Sequence, residues 1–207
     1  MVIKVDKKDE ILEATYKHFA RRGYNVSMSD IAKEVGIKPP SLYSHFSGKD
    51  EIIYLIVEKQ VGSYRNFLNR VYEECKDKVV EEKLETIFFE IVKYFQDNDK
   101  LRFWRNILLI DQDELRKRCN ELMINLELFQ IEKMKEVFGQ TLLQADSNQG
   151  ASNQDEIEGN ALLFLAMIQG ALEGELLCYG STSNAGEFIA KTWRAYWKGM
   201  RNTMKTE

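Results

Sequence analysis

The sequence predicts an all-α fold of about nine helices, three short ones followed by six longer ones. Two observations predict it: apolar residues recur at helical spacing along the chain, and the two prolines in the sequence are adjacent, at Pro39 and Pro40. No proline therefore interrupts the other helical patterns. With 44% hydrophobic and 30% charged residues, the chain can bury a core and still present a charged surface.

The first three helices are short and are separated by glycines. The first is predicted over residues 6–22, and Gly23 ends it at a position that favours a left-handed backbone. The second begins near Ser27, which can cap it, and ends at Gly36, where a turn follows. The third runs over residues 39–45, with both prolines in its first turn, where a missing N–H matters least.

The longer helices are predicted at residues 48–75, 80–96, 100–110, 113–143, 155–179 and 184–203. A polar segment at residues 145–154 has no apolar period and is predicted as a surface loop, and turn residues occupy positions 180–184. We expect two domains: residues 1–50 form a three-helix helix-turn-helix, and residues 51–207 form a larger helical domain.

Charge is distributed unevenly along the chain. The net charge is −4, but residues 17–49 contain six basic and two acidic residues, a local charge of +4 that leaves −8 for the remainder. A basic patch on an otherwise acidic chain is the electrostatic footprint expected of a nucleic-acid-binding region.

The second and third helices, joined at Gly36, have the spacing of a helix-turn-helix, which presents its second helix to the DNA major groove. Helical geometry buries Leu42 and Phe46 and turns Ser41 and Ser44 to the opposite face. Two residues flank that face, Tyr43 and His45. Small hydroxyls with a phenol and an imidazole can contact base edges and phosphates. In the first turn of the fourth helix, Lys49 can pair with a phosphate.

Several short elements of this segment form a recognisable pattern: Phe19-Ala20, Gly23-Tyr24, Asp30-Ile31-Ala32, Val35-Gly36-Ile37, Leu42-Tyr43-x-His45-Phe46 and Lys49-Asp50-Glu51. Over about the first sixty residues, this pattern resembles the DNA-binding domain of the tetracycline-repressor (TetR) family. The resemblance implies DNA contacts by Ser27, Ser29, Lys38, Ser41, Tyr43, Ser44, His45 and Lys49. Two features depart from the family pattern: the loop over residues 23–31 is one residue shorter than is common, and Pro40 replaces a frequent glycine.

The resemblance also implies a function. The chain is expected to be a sequence-specific DNA-binding transcriptional regulator, a homodimeric repressor that a small-molecule effector releases from a palindromic, double-stranded operator. The second domain would then sense the ligand and form the dimer, without a cofactor. The sequence leaves the effector and the operator unidentified.

Two glycines one turn apart in an apolar helix, Gly170 and Gly174, each cost ~1 kcal/mol of helix propensity relative to Ala. They predict close approach of another helix. The segment is similar to the penultimate helix of the family, which pairs with the last helix in a four-helix dimer interface. On the last helix, Phe188, Trp193 and Trp197 would contribute to that interface. Packing of these residues within one protomer is the alternative.

Aromatic and methionine side chains in the middle of the chain provide more apolar surface than one helix face requires. Such side chains suit an adaptable apolar pocket, and equally an ordinary core. The effector pocket is expected to include Phe88, Tyr94, Phe103, Trp104, Met123 and Phe129.

Other classes of protein are disfavoured. The cysteines, Cys75, Cys119 and Cys178, are too widely spaced for a disulfide framework or a zinc site. The sequence contains no GxSxG, Walker or GxGxxG motif and no cluster of metal ligands, so catalytic and metal sites are not expected and an enzyme is the weaker reading. A regulator that senses another protein is a further alternative. No secretory signal or run of apolar residues long enough to span a membrane is apparent, which predicts a cytoplasmic protein.

Overall fold

A computed structural model of the chain describes residues 6–142, 152–174 and 185–203. Within these ranges it contains nine α-helices and no strand, so the predicted all-α fold is confirmed. The helices are α1 (Lys7–Arg22), α2 (Met28–Glu34), α3 (Pro39–Leu42), α4 (Lys49–Cys75), α5 (Val80–Tyr94), α6 (Asn98–Leu108), α7 (Asp113–Leu142), α8 (Ser152–Gly174) and α9 (Ala185–Thr203). A short 3-10 turn at Gly23–Asn25 follows α1.

The start of α8 differs from the prediction. The loop predicted at residues 145–154 lies outside the described residues as far as position 151, but Ser152 is already helical. The helix therefore begins three residues before the predicted position 155. Serine and asparagine, which we interpreted as loop residues, are also favoured at helix N-termini. The predicted end of this helix at residue 179 and the turn at 180–184 lie outside the described residues.

The structure divides into two compact units. The first comprises the chain up to Asn66 together with Asp97–Leu126, and the second comprises Phe67–Gln96 and the chain from Glu127 onward. Both α4 and α7 contribute residues to each unit. A functional boundary at residue 50 stays a prediction.

In the first unit, α6 packs against α1. Phe103 is fully buried, with its ring centroid 4.9 Å from that of Tyr16 and 5.4 Å from that of Phe19. The side-chain amide of Asn106 donates to the carbonyls of Phe19 at 2.8 Å and Ala20 at 3.1 Å. The Phe19 carbonyl also accepts from the Gly23 amide. Because the last carbonyls of a helix have few partners of their own, the Asn106 amide of α6 supplements the C-terminal end of α1.

In the second unit, α5, α8 and α9 pack around aromatic side chains. Phe88 and Phe164 are fully buried. Trp193 stacks on Phe88 at 5.6 Å between centroids, and Tyr196 lies 5.6 Å from Phe164. These ring contacts join α9 to both α5 and α8 within the unit. None of the described helices combines the length and apolarity that crossing a membrane requires.

Candidate nucleic-acid interface

The start of α2 is fixed by a reciprocal cap. The Asp30 amide donates to Ser27 Oγ at 3.1 Å, and the Ser27 amide donates in return to Asp30 Oδ2 at 3.4 Å. Asp30 Oδ2 also accepts from Ser27 Oγ at 2.7 Å. This capping box satisfies backbone groups that the helix leaves unpaired. The bond from Ser27 lowers the pKa of Asp30, helped by Arg22, whose Nη1 lies 3.2 Å from Asp30 Oδ2. Ser27 is exposed but already holds the helix start, and Ser29 in the first turn of α2 is also exposed.

The turn between α2 and α3 has the conformation that the sequence predicts. Gly36 has φ +68°, a left-handed conformation that glycine adopts without steric cost. Its amide donates to the Lys33 carbonyl at 3.3 Å, and the Ile37 amide donates to the Ala32 carbonyl at 3.0 Å. These two bonds form a Schellman motif, which ends α2 and directs the chain into α3.

Helix α3, together with the turn that follows it, has one buried and one exposed face. Leu42 is fully buried and Phe46 nearly so, as predicted. Ser41 and Ser44 are exposed, and Tyr43 is the most exposed aromatic of the segment, at 59%. Three neighbouring hydroxyl groups are therefore accessible to a partner on α3 and the turn that follows it.

Regular α-helix in α3 ends at Leu42, earlier than the predicted position 45. Beyond it the chain continues as a turn, in which the amides of His45 and Phe46 both donate to the Leu42 carbonyl, at 2.9 and 3.0 Å. Ser44 Oγ donates to the Ser41 carbonyl at 2.7 Å, and such back-bonding competes with regular helix. His45 lies in this turn and is half-buried.

Lys49 makes contacts within the protein that the sequence did not reveal. Its Nζ donates to the Tyr24 carbonyl at 2.9 Å and lies 3.6 Å from the Tyr24 ring centroid, a cation–π contact. The Tyr24 hydroxyl donates to Asp50 Oδ1 at 2.8 Å, and burial together with this bond raises the pKa of Tyr24 to about 12. Tyr24 thus orients the lysine at the start of α4. In the sequence, the Gly23-Tyr24 pair was the feature that could have indicated these contacts of Lys49.

Other cations of the segment differ in how far they are neutralised. Arg21 Nη2 lies 3.5 Å from Asp99 Oδ2 at the start of α6. Lys33 and Lys38 are exposed, and neither has an ion pair with another described residue. The predicted basic patch is therefore only partly neutralised by the first unit.

The six predicted pocket residues fall into two sets. Phe103, Trp104 and Met123 belong to the first unit, and Phe88, Tyr94 and Phe129 to the second. Phe103 and Phe88 are fully buried in the two cores, which fits the alternative that we kept open. In the second unit, Tyr94 lies 4.5 Å from Phe67 between ring centroids, and Phe129 lies 6.4 Å from Tyr72. A single pocket that joins all six stays a prediction.

The residues predicted at a dimer interface divide between buried and exposed positions. A Cβ added at Gly174 would lie 2.6 Å from the Phe188 ring, so this glycine admits an α9 side chain of the same protomer. Trp193 is buried and lies 6.1 Å from Trp197 between ring centroids, nearly parallel. Gly170 is exposed, with nothing near its Cβ position.

The sequence analysis missed two leucines on α8. Leu162 is 45% exposed and Leu163 is 53% exposed. They lie two turns before Gly170 in the helix, so the three residues share one face. In the sequence, the signal was an apolar pair seven and eight positions before the glycine.

The match to a known family is located in the N-terminal part of the chain. Residues 11–54 match the family model described as bacterial regulatory proteins, tetR family. The fatty acid metabolism regulator protein of Bacillus subtilis (strain 168) is 31% identical over 123 residues, 58% of this chain and 62% of that protein. The nucleoid occlusion factor SlmA of Aliivibrio fischeri (strain MJ11) is 25% identical over 129 residues, 60% of this chain and 65% of that protein. The matches thus span less than two thirds of either relative.

Similarity of fold extends further along the chain. The transcriptional regulator FadR from Bacillus subtilis, solved in complex with stearoyl-CoA, superimposes with a TM-score of 0.65 at 17% identity. The superposition covers 90% of this chain and 97% of that one. Regulators of this kind are not enzymes, as the sequence analysis expected for this chain. Residues 11–54, which contain the capped helix-turn-helix, therefore form a domain of the tetR family of bacterial regulatory proteins.

Proposed function

We propose that the protein is a sequence-specific DNA-binding transcriptional repressor, a homodimer that a small-molecule effector releases from a palindromic operator. The exposed hydroxyl face of α3 and the turn that follows it is the observation that carries the proposal: Ser41 and Ser44 lie opposite the buried Leu42, and the exposed Tyr43 flanks them. Hydroxyl groups donate and accept hydrogen bonds, so they can read base edges in the major groove.

Residues around this face would position it on the duplex. Lys38 is an exposed cation at the start of α3 and suits a phosphate contact, which carries no base information. Ser29 would add a backbone contact from α2. His45 flanks the reading face. Lys49 retains donors beyond the one given to the Tyr24 carbonyl, because an ammonium has three, so a phosphate could join the contacts that already orient it.

The exposed apolar face of α8 supports a dimer. Leu162 and Leu163 are accessible beside Gly170, where a second helix can approach closely because no Cβ intervenes. Contiguous exposed apolar residues favour an interface, and a two-fold axis would place the same face of both protomers together.

Effector control would act through the contact between α6 and α1. Asn106 holds the last carbonyls of α1, so a shift of α6 would displace the helix that supports the helix-turn-helix. A ligand can change DNA affinity only by its differential affinity for the two arrangements, typically ~1–3 kcal/mol or about 5–150-fold. Because one relative regulates fatty acid metabolism and one structural neighbour holds stearoyl-CoA, long-chain acyl-CoA thioesters are the first effectors to test.

Selection of bound duplexes from a random DNA pool tests the proposal. We expect sequences with dyad symmetry whose half-sites are about 34–36 Å apart, or a multiple of that spacing. Selected sequences without dyad symmetry would contradict a homodimer that binds two equivalent half-sites.

Two variants then separate the roles of neighbouring residues. Lys38→Ala should weaken binding to all sequences and reduce the salt slope by about 1. Ser41→Ala should instead change the preferred base at one position of each half-site. If both variants alter binding in the same way, the assigned face of α3 is wrong.

A further inference from the structure

The second unit contains a cleft that lies outside the predicted effector pocket. It is formed by the C-terminal end of α4, the N-terminal half of α5 and the C-terminal part of α7, and its volume is about 510 Å³. A neighbouring cavity of about 310 Å³ shares Lys83, Val137 and Gln140 with it. Clefts of several hundred Å³ hold small organic ligands, and none of the six residues predicted for the pocket lines this one.

The cleft has an excess of positive charge. Four basic side chains line it: Arg70, Lys76, Lys83 and Lys133. Two of them are neutralised locally, because Lys76 pairs with Glu73 and Lys133 Nζ lies 2.7 Å from Glu136 Oε2. Arg70 and Lys83 have no carboxylate partner among the described residues. The two unneutralised cations give the cleft an affinity for anions.

Lys83 is unusual because its charge is buried. The residue is only 9% exposed, and its Nζ donates at 2.8 Å to Oε1 of Gln140, a neutral amide. A buried charge is unfavourable unless it is paired. An anionic group bound in the cleft would provide the missing counter-charge.

Tyr72 supplies a second, independent sign of a ligand. Its hydroxyl is inaccessible to solvent and has no hydrogen-bond partner in the described part of the chain, although the residue lines the cleft. Burial raises the pKa of Tyr72, so the phenol remains a donor at neutral pH. Because buried polar groups nearly always have partners, a small shift of this side chain toward the cleft would let its hydroxyl donate to an acceptor oxygen of a ligand.

We propose that this cleft binds a small organic anion, whose phosphate or carboxylate group is held by Lys83 and Arg70 and accepts a hydrogen bond from Tyr72. The apolar part of the ligand would pack against Val137 and Cys75, which also line the cleft. The inference rests on the proposed function, because it names the chemical class of the effector and the residues that recognise it.

Calorimetric titration of the full-length protein without DNA tests the site. Four probes separate the headgroup from the chain: octyl phosphate, octanoate, octanol and inorganic phosphate. We expect at least one of the two octyl anions to bind about tenfold or more tightly than octanol, because charged hydrogen bonds are the strong ones. The better of the two identifies the headgroup. Equal binding of octanol, or binding of inorganic phosphate alone, would overturn the proposal.

Substitutions then locate the site. Lys83→Met and Arg70→Met should each weaken binding of the better octyl anion about tenfold. Lys93→Met is the matched control, because Lys93 is exposed on the same helix as Lys83 and outside the cleft. Arg70 is exposed, so Arg70→Met remains informative even if Lys83→Met fails to fold.

Tyr72→Phe distinguishes a ligand contact from a structural role. It should weaken binding of the octyl anion about threefold to tenfold, the effect of one hydrogen bond. The melting temperature of the unliganded variant should stay unchanged or rise, because an unpaired buried hydroxyl is removed. Unchanged anion affinity in both Tyr72→Phe and Arg70→Met would exclude this cleft.

Operator binding in the presence of the octyl anion separates this inference from the proposed function. A change in operator affinity supports both. Anion binding that leaves operator affinity unchanged supports the anion site and overturns its assignment as the effector site. A protein that binds the anion in this cleft but selects no DNA sequence contradicts the repressor function and leaves the anion site supported.

Discussion

The helix-turn-helix and the cationic cleft are built from contacts of very different sequence separation. In the helix-turn-helix, Ser27 and Asp30 are three positions apart. In the cleft, Lys83 meets Gln140, 57 positions away. The first region is therefore specified by short-range chemistry, whereas the second exists only once α4, α5 and α7 have packed together.

This difference explains why the helix-turn-helix can be predicted from the sequence and the cationic cleft cannot. Caps, turns and amphipathic faces follow from residue types at fixed offsets, so they can be interpreted without a structure. The charge of a cleft depends on which basic side chains remain unpaired after folding. Arg70 and Lys83 look like ordinary helix-surface residues in the sequence, and only the structure separates them from Lys76 and Lys133.

Asn106→Asp tests most directly whether the helix-turn-helix depends on short-range contacts alone. The α6 amide holds two α1 carbonyls from 87 and 86 positions away, so the helix-turn-helix would depend on one long-range contact as well. Replacing the donor by a carboxylate should lower the free energy of unfolding by about 3 kcal/mol. The Ala20 carbonyl loses the Asn106 donor, the Phe19 carbonyl keeps only the Gly23 amide, and both carbonyls then face a negative charge. Urea denaturation measures the change.

Asn98→Asp is the matched control. It makes the same substitution at an exposed residue of the same helix, in the first turn of α6, where a negative charge favours the helix dipole. It should have little effect or stabilise slightly. Equal stability of the two variants would mean that the N-terminal helices form without support from α6.

Prediction from the sequence therefore succeeded unevenly, for identifiable reasons. The nine helices of the described residues, the left-handed Gly36 and the buried Leu42 follow from periodicity and turn chemistry. The ring of Tyr24 under Lys49 could not be predicted, because it joins a 3-10 turn to α4 across 25 positions. The aromatic residues expected in one pocket belong to two units, and their joint pocket stays a prediction, since composition indicates burial but not which partners a side chain meets.

A second test concerns the exposed face of α8. Gly170→Leu should not destabilise a protomer, because the Cβ position is open and leucine is favoured over glycine in helices by about 1 kcal/mol. If two α8 helices cross there, the added side chain should weaken the dimer by about 1–3 kcal/mol. Sedimentation equilibrium measures the dissociation constant. Gly62→Leu, at an exposed position of α4, should leave it unchanged, and an unchanged Gly170→Leu dimer would place the interface elsewhere.

Two glycine substitutions test whether the local backbone conformation decides the effect of an added methyl group. Gly36→Ala forces a side chain into the left-handed region and should lower stability by about 1–2 kcal/mol. Gly62→Ala lies in the interior of α4 with nothing near its Cβ position, so it should raise stability by about 1 kcal/mol. The same chemical change should thus have opposite signs at two positions, which parallel urea titrations would resolve. Destabilisation at both positions would show that backbone conformation does not decide the effect.

The smallest expected effect belongs to the cap of α2. Ser27→Ala removes the side-chain acceptor for the Asp30 amide and should lower the free energy of unfolding by about 1 kcal/mol at neutral pH. The loss should depend on pH, because the bond from Ser27 lowers the pKa of Asp30 below its ordinary value of 3.8. A carboxyl whose pKa is lower in the folded state stabilises the protein above that ordinary value, and the contribution disappears as the pH falls through the folded value. The difference between wild type and Ser27→Ala should therefore shrink in acid, while Ser29→Ala, exposed one residue inside the helix start, should differ little from wild type at any pH. A difference that stays constant to the acid end of the titration would mean that the cap acts through its backbone bond alone.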